Sequence, residues 1–210
     1  MHVEFPYITG KNPNGDYGKL LAEKVFSRIK RLPGIKKICE LGCGNGYFSG
    51  RLGRAGYEVT GIDCSKTGIA YARKNHWKYA QFIESEISPS LTCGLKTEFD
   101  LVLSMEVIEH LYCPSDLIGM AAALLKPDGY LLISTPYHGY LKYLLMSFTN
   151  RMDAHLNPLH DGGHIKFFSV KTLFSLISSY RFNRVRFEYF GRFSWLWKNM
   201  ICLARKSDRR

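Results

Sequence analysis

The sequence predicts an α/β fold, a doubly wound and mostly parallel sheet with helices on both faces. Three observations predict it. Short apolar runs alternate with helical segments of ten or so residues between positions 16 and 135, and such alternation demands βαβ crossovers. A glycine-rich stretch, CELGCGNGYF at 39–48, follows the first apolar run directly. Two further runs near the end of the chain lie too close together for a helical crossover, so they read as an antiparallel hairpin at the sheet edge.

The elements follow in order. From Asp16 to Leu32, the residues Leu20, Leu21, Val25, Phe26, Ile29 and Leu32 share one helical stripe, and Pro33 and Gly34 end the helix. KKICEL at 36–41 is a short strand, and YFSGRLGRAG is a helix that stops near Gly56. YEVTGID at 57–63 is the second strand, followed by a helix from Lys66 to Asn75. A third strand lies near AQFI at 80–83, and a fourth is FDLVLS at 99–104. The helix PSDLIGMAAALL at 114–125 precedes a fifth strand, YLLIST at 130–135. After Pro136 the alternation breaks for about thirty residues, which marks 137–168 as an insert. A helix at 169–180 then leads to RVRFEYF at 184–190 and NMICLARK at 199–206, the two strands of the hairpin.

The 210 residues suit one buried domain spanning 1–210, and 46% hydrophobic with 22% charged residues is the composition of a globular protein. The opening MHVEFPYITG has neither a basic nor an apolar leader region, so the expected location is the cytoplasm. Six cysteines, at 39, 43, 64, 93, 113 and 202, form no CxxC and are expected to be reduced thiols, mostly buried. The net charge is +11, and +7 of it falls in residues 181–210, where nine bases face two acids. A basic end of this kind attracts anionic lipid, nucleic acid or an acidic substrate, or serves solubility alone.

A strand, a glycine-rich turn and a helix place backbone N–H groups and an open helix start against a ligand, while the missing side chains allow close approach. The dinucleotide pattern is GxGxxG; here Gly42, Gly44 and Gly46 give GxGxG, with Tyr47 where the third glycine of that pattern belongs. Asp63, 21 residues beyond Gly42, ends the second strand, where a carboxylate takes the two hydroxyls of a ribose. Asp63 or Ser65 capping the next helix is the alternative. Together these features point to a nucleoside ligand.

CELGCGNGYF, GIDCS, FDLVLSMEVIEHL and LLKPDGYLLISTP, in this order and spacing, resemble the class I S-adenosylmethionine-dependent methyltransferases. MEVIEH is similar to the branch that contains the quinone-biosynthesis O-methyltransferases. The match covers about residues 36 to 136. The resemblance implies a Rossmann-like, seven-stranded sheet whose last strand runs antiparallel, and S-adenosylmethionine as cofactor. It places Glu40, Gly42, Gly44 and Gly46 around the methionine part, Asp63 on the ribose and Cys64 beside the adenine. Ser85, Glu86 and Ile87 would lie by the adenine ring, and Met105 and Glu106 would line the pocket. None of these residues is a lysine or arginine, which suits a cationic sulfonium.

Methyl transfer from a sulfonium is an in-line displacement, so alignment matters most, and a base helps only if the acceptor loses a proton. Enzymes that methylate base amines often carry (N/D)PP(Y/F) after the fourth strand, and SMEV has no proline. The expected reaction is O-methylation of a small-molecule hydroxyl: phenolic, quinone-like, lipidic or a sugar. His110, just past the fourth strand, is the leading candidate base, with backbone bonding in its own turn as the alternative. The insert holds His138, His155, His160 and His164, a density unlike a core. Its spacing matches no metal motif, and no metal ligand is assigned; His160 is the second candidate base. Gly162 and Gly163 would let the insert fold over the site as a lid. The apolar stretch YLKYLLMSF, if helical, packs in the core, receives a greasy acceptor or rests on a membrane surface. Trp195 and Trp197 either reach lipid headgroups or brace the hairpin. The rival readings are an RNA or protein methyltransferase, an NAD-linked oxidoreductase and a nucleoside-binding domain without turnover; nucleic acid is not the expected partner.

Overall fold

A computed structural model describes residues 15–88, 99–157, 159, 162–191, 194 and 196–207. The first half supplies helix α1 (Gly15–Lys30), strand β1 (Lys37–Leu41), helix α2 (Tyr47–Arg54), strand β2 (Glu58–Asp63), helix α3 (Lys66–His76) and strand β3 (Gln81–Glu84). Strand β4 (Phe99–Met105) runs into a 3-10 turn, Ile108–His110, and then helix α4 (Pro114–Leu124) and strand β5 (Leu125–Pro136). The insert forms two helices, α5 (Tyr140–Phe148) and α6 (Met152–His155). Helix α7 (Val170–Ser178) leads to strands β6 (Phe182–Phe190) and β7 (Asn199–Lys206). No helix among the described residues is long and apolar enough to cross a membrane.

The sheet order is β3-β2-β1-β4-β5-β7-β6. Strands β1 to β5 pair in parallel, whereas β7 is antiparallel to β5 and to β6. The expected hairpin at the edge is therefore present, and β7 alone runs against the other six. Order reverses between β1 and β4, so the ligand crevice of such a sheet opens at their carboxyl ends.

Strict alternation divides the core. Val102, Leu131, Ile133 and Cys202 pack with Leu117, Ile118, Leu124, Leu173 and Ile177 of α4 and α7 on one face. Ile38, Leu101, Leu103, Leu132 and Leu203 pack with Val25, Ile29, Leu52 and Ile69 of α1 to α3 on the other. Period-two sequence thus becomes a sheet buried on both sides.

One boundary differs from the sequence reading. Strand β5 begins at Leu125, not Tyr130, and α4 ends at Leu124. Lys126 to Gly129 read locally as a turn, but they form an irregularity inside the strand, where pairing slips between Phe99 and Leu101 of β4. Asp128 takes a left-handed φ of 62° there. Pairing on either side, Leu125 with Phe99 and Tyr130 with Leu101, carries the strand through this bulge.

The end of α2 touches the loop before β3 so closely that a Cβ on Gly53 would overlap the Tyr79 carbonyl oxygen. Gly53→Ala is therefore expected to destabilise the fold by roughly 1–3 kcal/mol, since backbone rather than a flexible side chain must yield. Chemical denaturation would check this.

Candidate active site

The carboxyl ends of β1, β2, β3 and β4 bring the sequence-identified residues to one edge. Gly42, Gly44 and Gly46 have φ of 79°, 53° and 73°, and a Cβ on Gly46 would lie 2.7 Å from both Ala72 and Phe82. Only glycine permits this turn to fold so tightly against α3.

Asp63 is buried, and its two oxygens accept from the backbone of Gly44 at 2.7 Å and of Ser65 at 2.8 Å. Each oxygen retains a second acceptor site, so the structural role leaves room for a ribose hydroxyl. Ser65 caps α3 by accepting from Gly68 at 3.1 Å. The capping alternative and the ligand reading of Asp63 are thus compatible.

The turn does not offer its amides as the sequence reading expected. Gly42 and Cys43 donate to the Ile62 carbonyl, Gly44 to Asp63, Gly46 to the Cys43 carbonyl, and Tyr47 to the Asn45 side chain. Five successive candidates for phosphate binding, save Asn45 between them, are already committed inside the protein. What the glycines provide is close approach alone.

Glu40 is only 2% exposed beneath this turn, and the Ser49 hydroxyl donates to it. Burial, reinforced by the negative charge of Asp63, raises its carboxyl to about 8 against the opposing Ser49 hydrogen bond. Cys64 and Glu86 are exposed, and Ser85 and Ile87 are half-buried just past β3, where the Ser85 amide donates to the Asp63 carbonyl. Met105 is half-buried at the end of β4.

Beyond β4 the chain makes a strained corner. Glu106 adopts a left-handed φ of 56°, and its carboxylate accepts from Ser134 at 2.8 Å and Asn199 at 2.6 Å. Glu109, a residue the sequence reading passed over, is 1% exposed; one oxygen accepts from Thr135 at 2.9 Å, and the other has no hydrogen-bond partner. Burial and the neighbouring Glu106 charge push the Glu109 carboxyl well above its ordinary range.

The His110 amide closes its own turn by donating to the Val107 carbonyl, and the ring reaches across to the insert. Its Nδ1 lies 3.3 Å from the Gly163 carbonyl, and its ring meets His164 edge-on with centroids 4.9 Å apart. The amides of Ile165 and Lys166 both donate to the Glu109 carbonyl. The returning leg of the insert is therefore fastened to the 3-10 turn. His160, the second candidate base, lies outside the described residues, as do Asp161, Trp195, Arg192 and Cys93.

Two expectations about the insert need correction. His138 is buried, hydrogen-bonded at 2.8 Å to the Tyr143 hydroxyl and packed on Tyr143, His155 and Phe167. Burial drives its pKa down to about 3, so it is a neutral packing histidine. Helix α5 is not core: Tyr140 and Phe148 are 82% and 89% exposed, and Leu141, Leu144 and Leu145 are exposed beside them. Its one buried member is Lys142, whose ammonium donates to the Tyr137 carbonyl at 2.8 Å. Trp197 stacks on Tyr189 at 4.4 Å and meets Tyr137, so it braces the hairpin.

Comparison with known proteins agrees with this geometry. A family model described as a methyltransferase domain matches residues 16–185. The chain is 32% identical over 153 residues to a ubiquinone biosynthesis O-methyltransferase of Hydrogenovibrio crunogenus, covering 69% of this chain and 62% of that relative. It is 34% identical to another of that description from Pasteurella multocida, covering 59% and 58%. The chain thus spans about half to three-fifths of the curated relatives it matches. A methyltransferase structure from Archaeoglobus fulgidus, described as S-adenosylmethionine-dependent, superposes with a TM-score of 0.69 at 16% identity, covering 90% of this chain and 94% of that one. The N-methyltransferase NodS from Bradyrhizobium japonicum, in complex with S-adenosylhomocysteine, gives 0.68 at 16%, covering 92% and 89%.

The raised pKa of Glu40 has a stability consequence. Its folded value, about 8, exceeds the ordinary 4.5, so the folded state keeps a proton that the unfolded chain releases. Stability from this group is whole below pH 4.5 and is lost as pH rises towards 8. Glu40→Gln is expected to remove that loss, with a gain on the order of a few kcal/mol at pH 9 and little at pH 5. Thermal unfolding followed across that range by circular dichroism would check it.

Proposed function

The chain belongs to the methyltransferase-domain family, and on that premise we propose that it moves the methyl group of S-adenosylmethionine to a hydroxyl of a small-molecule acceptor. The observation that carries the reading is the pairing of an Asp63-clamped glycine turn, whose amides are committed, with buried carboxylates at the same sheet edge. A pyrophosphate would need those amides; a sulfonium needs bare approach and negative charge. Glu40, Gly42, Gly44 and Gly46 hold the methionine part, Asp63 the ribose, and Cys64, Ser85, Glu86 and Ile87 the adenine. Met105 and Glu106 line the crevice towards the acceptor. O-methylation is favoured because the curated relatives are described as O-methyltransferases and because a carboxyl and an imidazole, Glu109 and His110, lie just past the carboxyl end of β4, the edge from which an acceptor would enter.

We read residues 137–168 as the acceptor-side lid, anchored by the Glu109 carbonyl. We read the protein as cytoplasmic, a reducing setting that suits the free thiols of Cys39, Cys43, Cys64, Cys113 and Cys202. One observation favours a lipid contact as well. Helix α5 turns its apolar side chains outwards and its lysine inwards, the orientation that suits a peripheral helix at a bilayer interface. An acceptor delivered from the membrane would then arrive beside the lid.

His110→Ala is expected to lower turnover by roughly 100-fold or more while leaving donor affinity within a few-fold, whereas Asp63→Ala weakens the donor by about 10-fold or more. Calorimetry with S-adenosylmethionine and a radiolabelled transfer assay on lipid and phenolic extracts would separate the two; unchanged donor binding by Asp63→Ala contradicts the ribose role. For the lipid contact, replacing Leu144 and Phe148 by Glu is expected to reduce co-sedimentation with phosphatidylglycerol vesicles by about 10-fold or more without altering the circular dichroism. Equal sedimentation of the two proteins would remove that part of the reading.

A further inference from the structure

We propose that Glu40 is the residue that tells the charged methyl donor from its neutral product: it stays protonated in the free protein and gives that proton to solvent when a sulfonium binds. The inference rests on the proposed S-adenosylmethionine reading and deepens it. Glu40 lies near the carboxyl end of β1, under the glycine turn, and is 2% exposed. Gly61, its partner in register on β2, has no side chain, and a Cβ there would stand 2.9 Å from both Ser49 Oγ and Cys43 Sγ. Ser49 and Cys43 therefore close over the sheet at this point, and the Ser49 hydroxyl donates to the Glu40 carboxyl.

The surroundings of Glu40 supply negative charge and no positive charge. From β2 it faces Asp63, from α2 the Ser49 hydroxyl, and from its own strand and turn the thiols of Cys39 and Cys43. Its neighbour in register on β4 is Leu103. Among the described residues no lysine, arginine or histidine acts on it. Two carboxyl groups so placed do not both ionise readily, and their hydrogen bonds decide which one does. Asp63 accepts from two backbone amides, those of Gly44 and Ser65, whereas Glu40 relies on Ser49. Asp63 thus carries the charge and Glu40 the proton. Burial, the largest influence on Glu40, acts in the same direction.

S-adenosylmethionine and S-adenosylhomocysteine share their amino and carboxyl groups and differ by the transferred methyl and by one positive charge at sulfur. In a buried setting without a competing cation, a unit charge is felt over several ångströms. Arrival of the sulfonium favours the ionised form of Glu40, and one proton leaves for water as one cation enters. After transfer the sulfur is a neutral thioether, the carboxylate has lost its counter-charge, and it takes a proton back from water. The donor complex holds fewer protons than the free protein, so donor affinity rises with pH, and product affinity does not follow it. Low pH therefore favours retention of product, and higher pH favours its exchange for donor.

The test uses the full chain and both ligands. Calorimetry at pH 7 in buffers of different ionisation enthalpy counts the protons exchanged, and the ligand amino group, which ordinarily titrates near about 7.7–8.0, is common to every arm. With S-adenosylmethionine the wild type is expected to release about half a proton or more beyond what Glu40→Gln releases, and with S-adenosylhomocysteine the two proteins are expected to agree. The ratio of donor to product affinity is expected to rise about 10-fold or more from pH 6 to pH 8 in the wild type and to stay within about two-fold in Glu40→Gln. Ser49→Ala removes a hydrogen bond that favours the ionised form, so it moves that rise to higher pH; it carries the test if circular dichroism shows that Glu40→Gln does not fold. A purely structural Glu40 would move neither the proton count nor the ratio. Donor binding with equal proton release by the wild type and Glu40→Gln, or a wild-type ratio that is flat with pH, overturns the inference and leaves the donor reading standing. Binding of neither ligand by the wild type would sink the donor reading itself, and the role of Glu40 with it.

Discussion

The arrangement depends on one carboxylate. Asp63 ends β2, yet it accepts from Gly44 in the turn after β1 and from Ser65 at the start of α3. It thereby ties two neighbouring strand ends and the next helix into one rigid corner. Hydrogen bonds to a charged acceptor are stronger than neutral ones, and this acceptor is buried, so the corner is set before any ligand arrives. The glycines make the geometry available, and Asp63 selects it from the many conformations that glycine allows.

The two sides of the crevice solve opposite electrostatic problems. Under the glycine turn, Glu40 has a raised pKa, and a cationic ligand would stabilise its ionised form. Past the end of β4, Glu106 and Glu109 repel each other across a strained corner at φ 56°. Such strain persists only where the surroundings over-determine it, and here Ser134, Asn199 and Thr135 do so from β5 and β7. The antiparallel hairpin is therefore part of the site: Asn199 at the head of β7 reaches the acid at the end of β4.

Most of the frame was legible in the sequence because it obeys local rules. Alternating residues such as Leu101, Val102 and Leu103 carry their face assignment in their order, and Gly42 to Gly46 can serve few purposes after a strand. What escaped was whatever tertiary pairing decides. Lys126 to Gly129 fall between helix and strand in the sequence reading, yet they lie within β5 as a bulge, because Leu125 and Tyr130 on either side pair with Phe99 and Leu101 of β4. His138 looks like a surface ligand and is buried among aromatic rings of its own insert. Glu109 went unnoticed because its significance comes from burial against β5 and from an oxygen without a hydrogen-bond partner, neither visible in spacing. Helix α5 was ambiguous for a different reason: apolar composition does not say which way a helix faces, and here the lysine is the buried member.

The manner in which the insert returns to the site has an evolutionary consequence. Ile165 and Lys166 attach through their amides to the Glu109 carbonyl, and Gly163 presents only its carbonyl to His110. Main-chain fastenings of this sort are indifferent to side-chain identity. The exposed face of the insert, Leu141, Leu144, Leu145 and Phe148 among them, can thus be repainted by mutation while its landing point survives. On the proposed reading, selectivity would then change by drift on that face alone, with the glycine corner inherited unaltered.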